Sequence, residues 1–156
     1  MVSNLSIHFM EKSEAKDVNA LLERTFGISF APTLKDSFVE DDPMRPVVFS
    51  AVKDGEIVGA VTCHLMNESL GLIGRLAVEP SCRGQGIGNA LMAQAEQFIG
   101  AEWLHGQPGK VGLLDETKKR NASSQFYEHM GYESSTEMPS LPDEPFLAKP
   151  INIQPR

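Results

Sequence analysis

Several things are scarce in this chain, and each scarcity closes a class of function. Cysteine occurs twice, at Cys63 and Cys82, too seldom for a disulfide framework, which indicates a reducing, cytoplasmic setting. No apolar run approaches the roughly 20 residues of a membrane-spanning helix. Residues 1–10 lack the basic start and apolar core of an export signal, so no membrane role is expected. Basic residues are outnumbered, 14 Lys and Arg against 21 Asp and Glu, for a net charge of −7. That balance argues against nonspecific nucleic-acid binding and is compatible with a cationic substrate. No group of His, Cys, Asp and Glu has metal-ligand spacing, so no metal is expected. Repeats, low-complexity stretches and dividing linkers are also missing. The 156 residues therefore read as one domain, residues 1–156, long enough for a single core.

What is present reads as alternating strands and helices. Leu5, Ile7 and Phe9 alternate with polar residues, the period of a strand. Ser13 reads as the N-cap of a helix whose apolar face is Ala15, Val18, Leu21, Leu22 and Phe26, closed by Gly27. Residues 28–46 are irregular, with a short helix expected over 34–39, and read either as a cleft wall or as a surface connector. Residues 47–52 and 57–65 form a hairpin about Asp54-Gly55, with Gly59 marking a bulge or close approach. A third strand spans 70–78. A helix over 89–103 carries a broad apolar face, Ile87, Leu91, Ala95 and Phe98 with Met92, Ile99 and Trp103. A short buried strand over 111–114 follows. Then come a helix over 119–130 stopped by Gly131, a strand over 132–137, and a terminal edge strand over 146–149.

The most informative stretch is Leu76-Ala77-Val78-Glu79-Pro80-Ser81-Cys82-Arg83-Gly84-Gln85-Gly86-Ile87-Gly88. A strand feeds a glycine-rich turn, and a helix starts directly after it. The first amides of a helix have no internal acceptor, and the helix dipole adds positive potential there. Glycine lets a ligand come close to the backbone, and Arg83 supplies a planar cation suited to phosphate oxygens. The local physics is that of a diphosphate site. No Lys-Ser or Lys-Thr follows the glycines, which excludes a phosphate loop. The G-x-G-x-G spacing and the three preceding strands exclude a dinucleotide fingerprint.

Arg-x-x-Gly-x-Gly after Leu-Ala-Val-x-Pro resembles the acyl-CoA signature of the GNAT superfamily of N-acetyltransferases. A second stretch, Asn121-Ala122-Ser123-Ser124-Gln125-Phe126-Tyr127-Glu128-His129-Met130-Gly131-Tyr132, is similar to that family's second segment in Asn121, Phe126-Tyr127 and Gly131-Tyr132. The resemblance covers about residues 47–137. It implies an α/β acyl-CoA N-acyltransferase fold, a mixed and mostly antiparallel central sheet flanked by helices. It also implies transfer of an acetyl group from acetyl-CoA to a primary amine of a small molecule or peptide, by direct transfer in a ternary complex.

The resemblance further assigns residues. Arg83, Gly84, Gln85, Gly86, Ile87, Gly88 and Asn89 would hold the cofactor diphosphate. Leu76, Ala77 and Val78 would pair with the pantetheine arm, with the amide of Ala77 or Val78 facing the developing oxyanion. Asn121 would meet pantetheine or a water, and Tyr127 would be the acid for the thiolate. Related domains often form homodimers through sheet edges. The family often carries a glutamate on the strand of Leu76, yet residues 71–76 contain no carboxylate. Glu68, Glu79, His64, Asp115 and Glu116 are the nearest alternatives for a base, with Glu79 read as a solvated charge. That gap leaves a non-catalytic acyl-CoA sensor as the alternative reading. Arg75 reads as an exposed charge or a partner for an acceptor carboxylate.

Overall fold

Period-2 alternation and turn chemistry set the strands of this protein, and one long crossover sets their order. The computed structural model describes residues 4–113, 122–135 and 146–152. Strand β1, Leu5–Phe9, is followed by helices α1, Ala15–Phe26, and α2, Ala31–Asp36. Strands β2, Val47–Lys53, β3, Glu56–Asn67, and β4, Leu70–Val78, then form an antiparallel meander. Helix α3, Ile87–Phe98, crosses back so that β5, Gly109–Leu113, pairs with β4 in parallel. Helix α4, Ala122–His129, precedes β6, Glu133–Ser135, and β7, Phe146–Ile151. The sheet has seven strands in the order β1-β2-β3-β4-β5-β7-β6, and β4–β5 is its parallel pair.

The two faces of this sheet are covered by different helices. On one face Phe49, Val61, Cys63, Ile73 and Val111 pack against Ile87, Leu91, Met92 and Ala95 of α3. On the other, Val48, Ala60 and Ala77 pack against Val18, Leu21, Leu22 and Leu34 of α1 and α2. Leu91 is fully buried, and cutting such a residue back to alanine costs about 2–5 kcal/mol. Two of the meander's three register shifts bear on the site. One sits at Val58, beside Gly59, where a Cβ would come within 2.9 Å of Leu91 Cδ1. The other sets Gly74 and Arg75 opposite the single residue Thr62, whose Oγ1 accepts the Arg75 N–H at 2.9 Å.

Several expectations change. Ser13 is not the cap of α1; it lies in a 3-10 turn, Lys12–Glu14, and the Glu14 carboxylate accepts the Glu11 N–H at 2.8 Å. The second helix lies earlier than expected, with Pro32 in its first turn, where a missing N–H is harmless. Helix α3 starts at Ile87 rather than Asn89, because Gly86 supplies the left-handed cap. It ends at Phe98, and residues Ile99–Trp103 widen into a π turn. Strand β7 is not an edge: it inserts between β5 and β6 and leaves β6 outermost. The apolar face of α1 also divides, for Val18, Leu21 and Leu22 are buried while Phe26 is 41% exposed.

Candidate active site

The parallel pair β4–β5 is short. It runs from Leu70 with Lys110 to Ile73 with Leu113, and beyond it residues 74–78 have no strand partner on that side among the described residues. Toward β3 the strand is satisfied: Glu79 donates its N–H to the Val58 carbonyl at 2.8 Å, and Arg75 donates to Thr62. Amides alternate along a strand. The Ala77 N–H therefore also points to β3, and those of Leu76 and Val78 point to the open edge. Of the two amides expected to face an oxyanion, that of Ala77 is therefore directed to β3, and that of Val78 lies on the open side with Leu76.

The open edge forms one wall of a cleft of about 600 Å³. Leu76, Ala77 and Val78 line it, with Arg83, Gly84, Gly86, Ile87, Gly88 and Asn89 at one end and Phe126 and Tyr127 of α4 across from the strand. Thr25 and Phe26 of α1 and Cys82 complete the lining. Phe126 and Phe26 both belong to apolar helical stripes in the sequence, so nothing in the pattern separates them from core. Asn121, Asp115 and Glu116 lie outside the described residues.

At the turn, Gly86 has φ +83° and Gly84 φ +79°, a region that side-chain-bearing residues enter at a cost. Gly86 lets the chain turn directly into α3. Ala90 is the first α3 residue whose N–H reaches back to the Gly86 carbonyl, at 3.0 Å. The amides of Ile87, Gly88 and Asn89 precede it, and no side chain caps them. Arg83 folds back, its Nε–H donating to the Val78 carbonyl at 3.4 Å, so it braces the turn against the strand. Gln85 does not join the cleft: its amide oxygen accepts from Lys53 Nζ at 2.9 Å, on the β2 side. Glu79 is not a free surface charge either, since it pairs with Arg24 of α1.

Tyr127 is held from below by its own helix end. Its carbonyl accepts the N–H groups of Met130 at 3.0 Å and Tyr132 at 3.1 Å, with Gly131 at φ +100° making the turn. Its ring meets those of Phe126 and Tyr132 edge to face, at 5.1 and 6.0 Å between centroids.

On the α1 face of the sheet, just past the bulge, the Arg75 guanidinium lies 5.7 Å from the Phe26 ring centre and 5.2 Å from that of Phe30. It is thus packed on aromatic rings rather than simply exposed. Phe30 brings the start of residues 28–46 to this face, while no residue of that stretch lines the cleft. His64 stands beside Arg75. Burial first, and then the Arg75 charge, hold its imidazole below the ordinary value, so it is neutral at pH 7. Cys63 is fully buried, and burial pushes its thiol far up, which makes it an inert core residue.

The site is thus a strand edge opened toward a bare helix N-terminus on a mixed sheet. Residues 15–132 match the family model described as Acetyltransferase (GNAT) family, and the chain belongs to that family. A curated relative, the uncharacterized N-acetyltransferase YjhQ of Escherichia coli K12, is 27% identical over 99 residues. That match takes in 58% of this chain and 55% of YjhQ, so the chain spans about half the length of this relative. Among solved structures, a GNAT-family acetyltransferase of Staphylococcus aureus Mu50 superposes with a TM-score of 0.72 at 15% identity, covering 94% of this chain and 99% of that one. The PaiA N-acetyltransferase of Thermoplasma acidophilum, solved with coenzyme A, gives a TM-score of 0.67 at 13% identity over 93% and 98%. At these identities the structural likeness concerns the fold.

Proposed function

We propose that this chain transfers an acetyl group from acetyl-CoA to a primary amine, with both substrates bound together in the cleft. The observation that carries this reading is the unpaired β4 edge running into the uncapped start of α3, with Tyr127 opposite. The amides of Ile87, Gly88 and Asn89 hold the diphosphate, in a position favoured by the helix dipole. The amide-containing arm then lies along the open edge as an added strand, meeting the Leu76 and Val78 backbones. Asn121, which lies outside the described residues, keeps the assignment to this arm that the family resemblance gives it.

The arm runs from the turn toward the point where β4 and β5 close, so the thioester lies at the inner end. There the outward N–H of Val78, or that of Leu76 beside it, faces the carbonyl oxygen as it gains charge. The amine nitrogen forms a bond to the carbonyl carbon and the carbon–sulfur bond breaks. Tyr127 gives its proton to the departing thiolate.

The test is an amine panel (an amino acid, a lysine peptide, a polyamine and an aminoglycoside) with acetyl-CoA, read as free thiol and as acetylated amine. Amine-dependent thiol release is expected with at least one class. A protein that binds acetyl-CoA and acetylates none of them would be a sensor instead.

A further inference from the structure

His64 has no part in the roles assigned so far, and its surroundings give it one. It is half-buried on β3, and its imidazole overhangs the bulge in β4. A Cβ built on Gly74 would lie 3.1 Å from His64 Nε2 and 2.7 Å from Thr62 Oγ1. The ring therefore occupies the space that a side chain at residue 74 would take. Gly74 is the first residue past the last β4–β5 pair, Ile73 with Leu113. At about 3.3 Å per residue it lies about 7 Å from Leu76 along the strand. The imidazole thus stands over the inner end of the open edge.

Two further observations connect this group to the cleft. Phe26 lines the cleft and also packs against Arg75, the neighbour of His64. Among the described residues, no hydrogen bond or ion pair engages the His64 ring. A half-buried imidazole is usually partnered, and this one has no hydrogen-bond partner among the described residues, while its Nε2 faces the space over Gly74.

We propose that His64 is the general base of the reaction, taking the proton of the attacking amine directly or through one water. The assignment rests on the acyl-transfer reading above. The amine lone pair forms the nitrogen–carbon bond, the carbon–sulfur pair leaves with the thiolate, and the nitrogen's proton passes to His64. Tyr127 protonates the thiolate, and solvent then returns one proton to Tyr127 and removes one from His64. Arg75 is the charged group acting on His64 among the described residues, with the neutral Thr62 and Gly74 packed beside it. Its charge keeps the imidazole in the accepting form and favours release of the proton afterwards. This supplies the base that the carboxylate-free strand lacks.

The experiment compares the full chain with His64→Gln and His64→Ala, using acetyl-CoA and whichever panel amine the unsubstituted protein acetylates. Thermal melting confirms that each variant is folded. The expected result is a loss of about 100-fold in kcat at pH 7, with KM for acetyl-CoA within about twofold. The acidic limb of the pH–rate profile should disappear, and added imidazole should restore part of the activity of His64→Ala. A kcat within about threefold of the parent, or a loss with an unchanged pH profile and no rescue by imidazole, overturns the assignment. If the unsubstituted protein binds acetyl-CoA but acetylates no amine, the transferase reading itself fails. Intact activity that is indifferent to residue 64 removes this assignment alone.

Discussion

Tyr132 donates its phenolic hydrogen to Glu96 Oε2 across 2.8 Å, and so fastens the turn after α4 to the last turn of α3. The other oxygen of Glu96 accepts from Lys149 Nζ of β7 at 2.9 Å, which brings three elements to one carboxylate. Burial first, and then the Glu96 charge and hydrogen bond, push the Tyr132 hydroxyl far above its ordinary value, so it remains a donor throughout the working pH range. The helix that carries Tyr127 is thereby tied to the helix that starts at the glycine turn.

Tyr132→Phe tests that tie. It should lower stability by about 1–3 kcal/mol, because a buried carboxylate oxygen loses its partner. The shift should appear in the denaturant midpoint with little change in slope, and acetyl-CoA affinity should be nearly unchanged.

Gly86 separates backbone cost from ligand cost. Nothing lies within 4 Å of a Cβ built there, so Gly86→Ala should cost only the left-handed conformation, about 1–2 kcal/mol. Gly86→Glu adds a negative charge beside the bound diphosphate. It should abolish the thermal stabilisation by acetyl-CoA, which at a hundred times the dissociation constant is about 2.7 kcal/mol for a binding protein.

Tyr127→Phe should reduce kcat by about 100-fold or more while leaving acetyl-CoA binding within about twofold, measured by steady-state kinetics and calorimetry. Turnover equal to the parent would remove Tyr127 as the acid.

The pH dependence of stability has two separate parts. The His64 pKa is depressed in the folded state, so the unfolded chain takes up a proton first as pH falls below the ordinary value of 6.5. Stability should decline from there down to the folded value, and His64→Gln should flatten that segment. For Glu14, burial pushes the carboxyl up, but the Glu11 N–H, the His8 hydrogen bond at 2.8 Å and the His8 charge outweigh it and hold it low. Its contribution is present above the ordinary 4.5 and is lost as pH falls through the lower folded value. His8→Asn should weaken that acid-range protection, as read by melting between about pH 3 and 5.

Much of this architecture is legible in the sequence because local signals carry it. Asp54-Gly55 fixes the hairpin, with both residues at positive φ, and strand alternation places β1 to β4 in order. The glycine turn before α3 can be read because Gly84 and Gly86 serve the backbone itself. What the sequence hides is set by distant partners. Lys53 draws Gln85 away from the cleft, Arg24 claims Glu79, and β7 enters the sheet between β5 and β6 through non-local pairing. Phe26 and Phe126 sit at helical spacing like any core residue, and only the assembled fold shows that both face the cleft. His64 illustrates the same limit. Its significance depends on Gly74, across a bulge that no periodicity announces.

The shortness of the β4–β5 pair gives this sheet a seam. Two blocks, β1 to β4 and β5 to β7, are stitched along four residue pairs and held otherwise by helix packing. On the proposed function, an acetyl-CoA arm lying in the gap would add rungs that the described strands leave out and so splint the two blocks. Loading and release of the donor would then be felt across the sheet. Amide exchange in β5, far from any acceptor, should slow when the splint is in place.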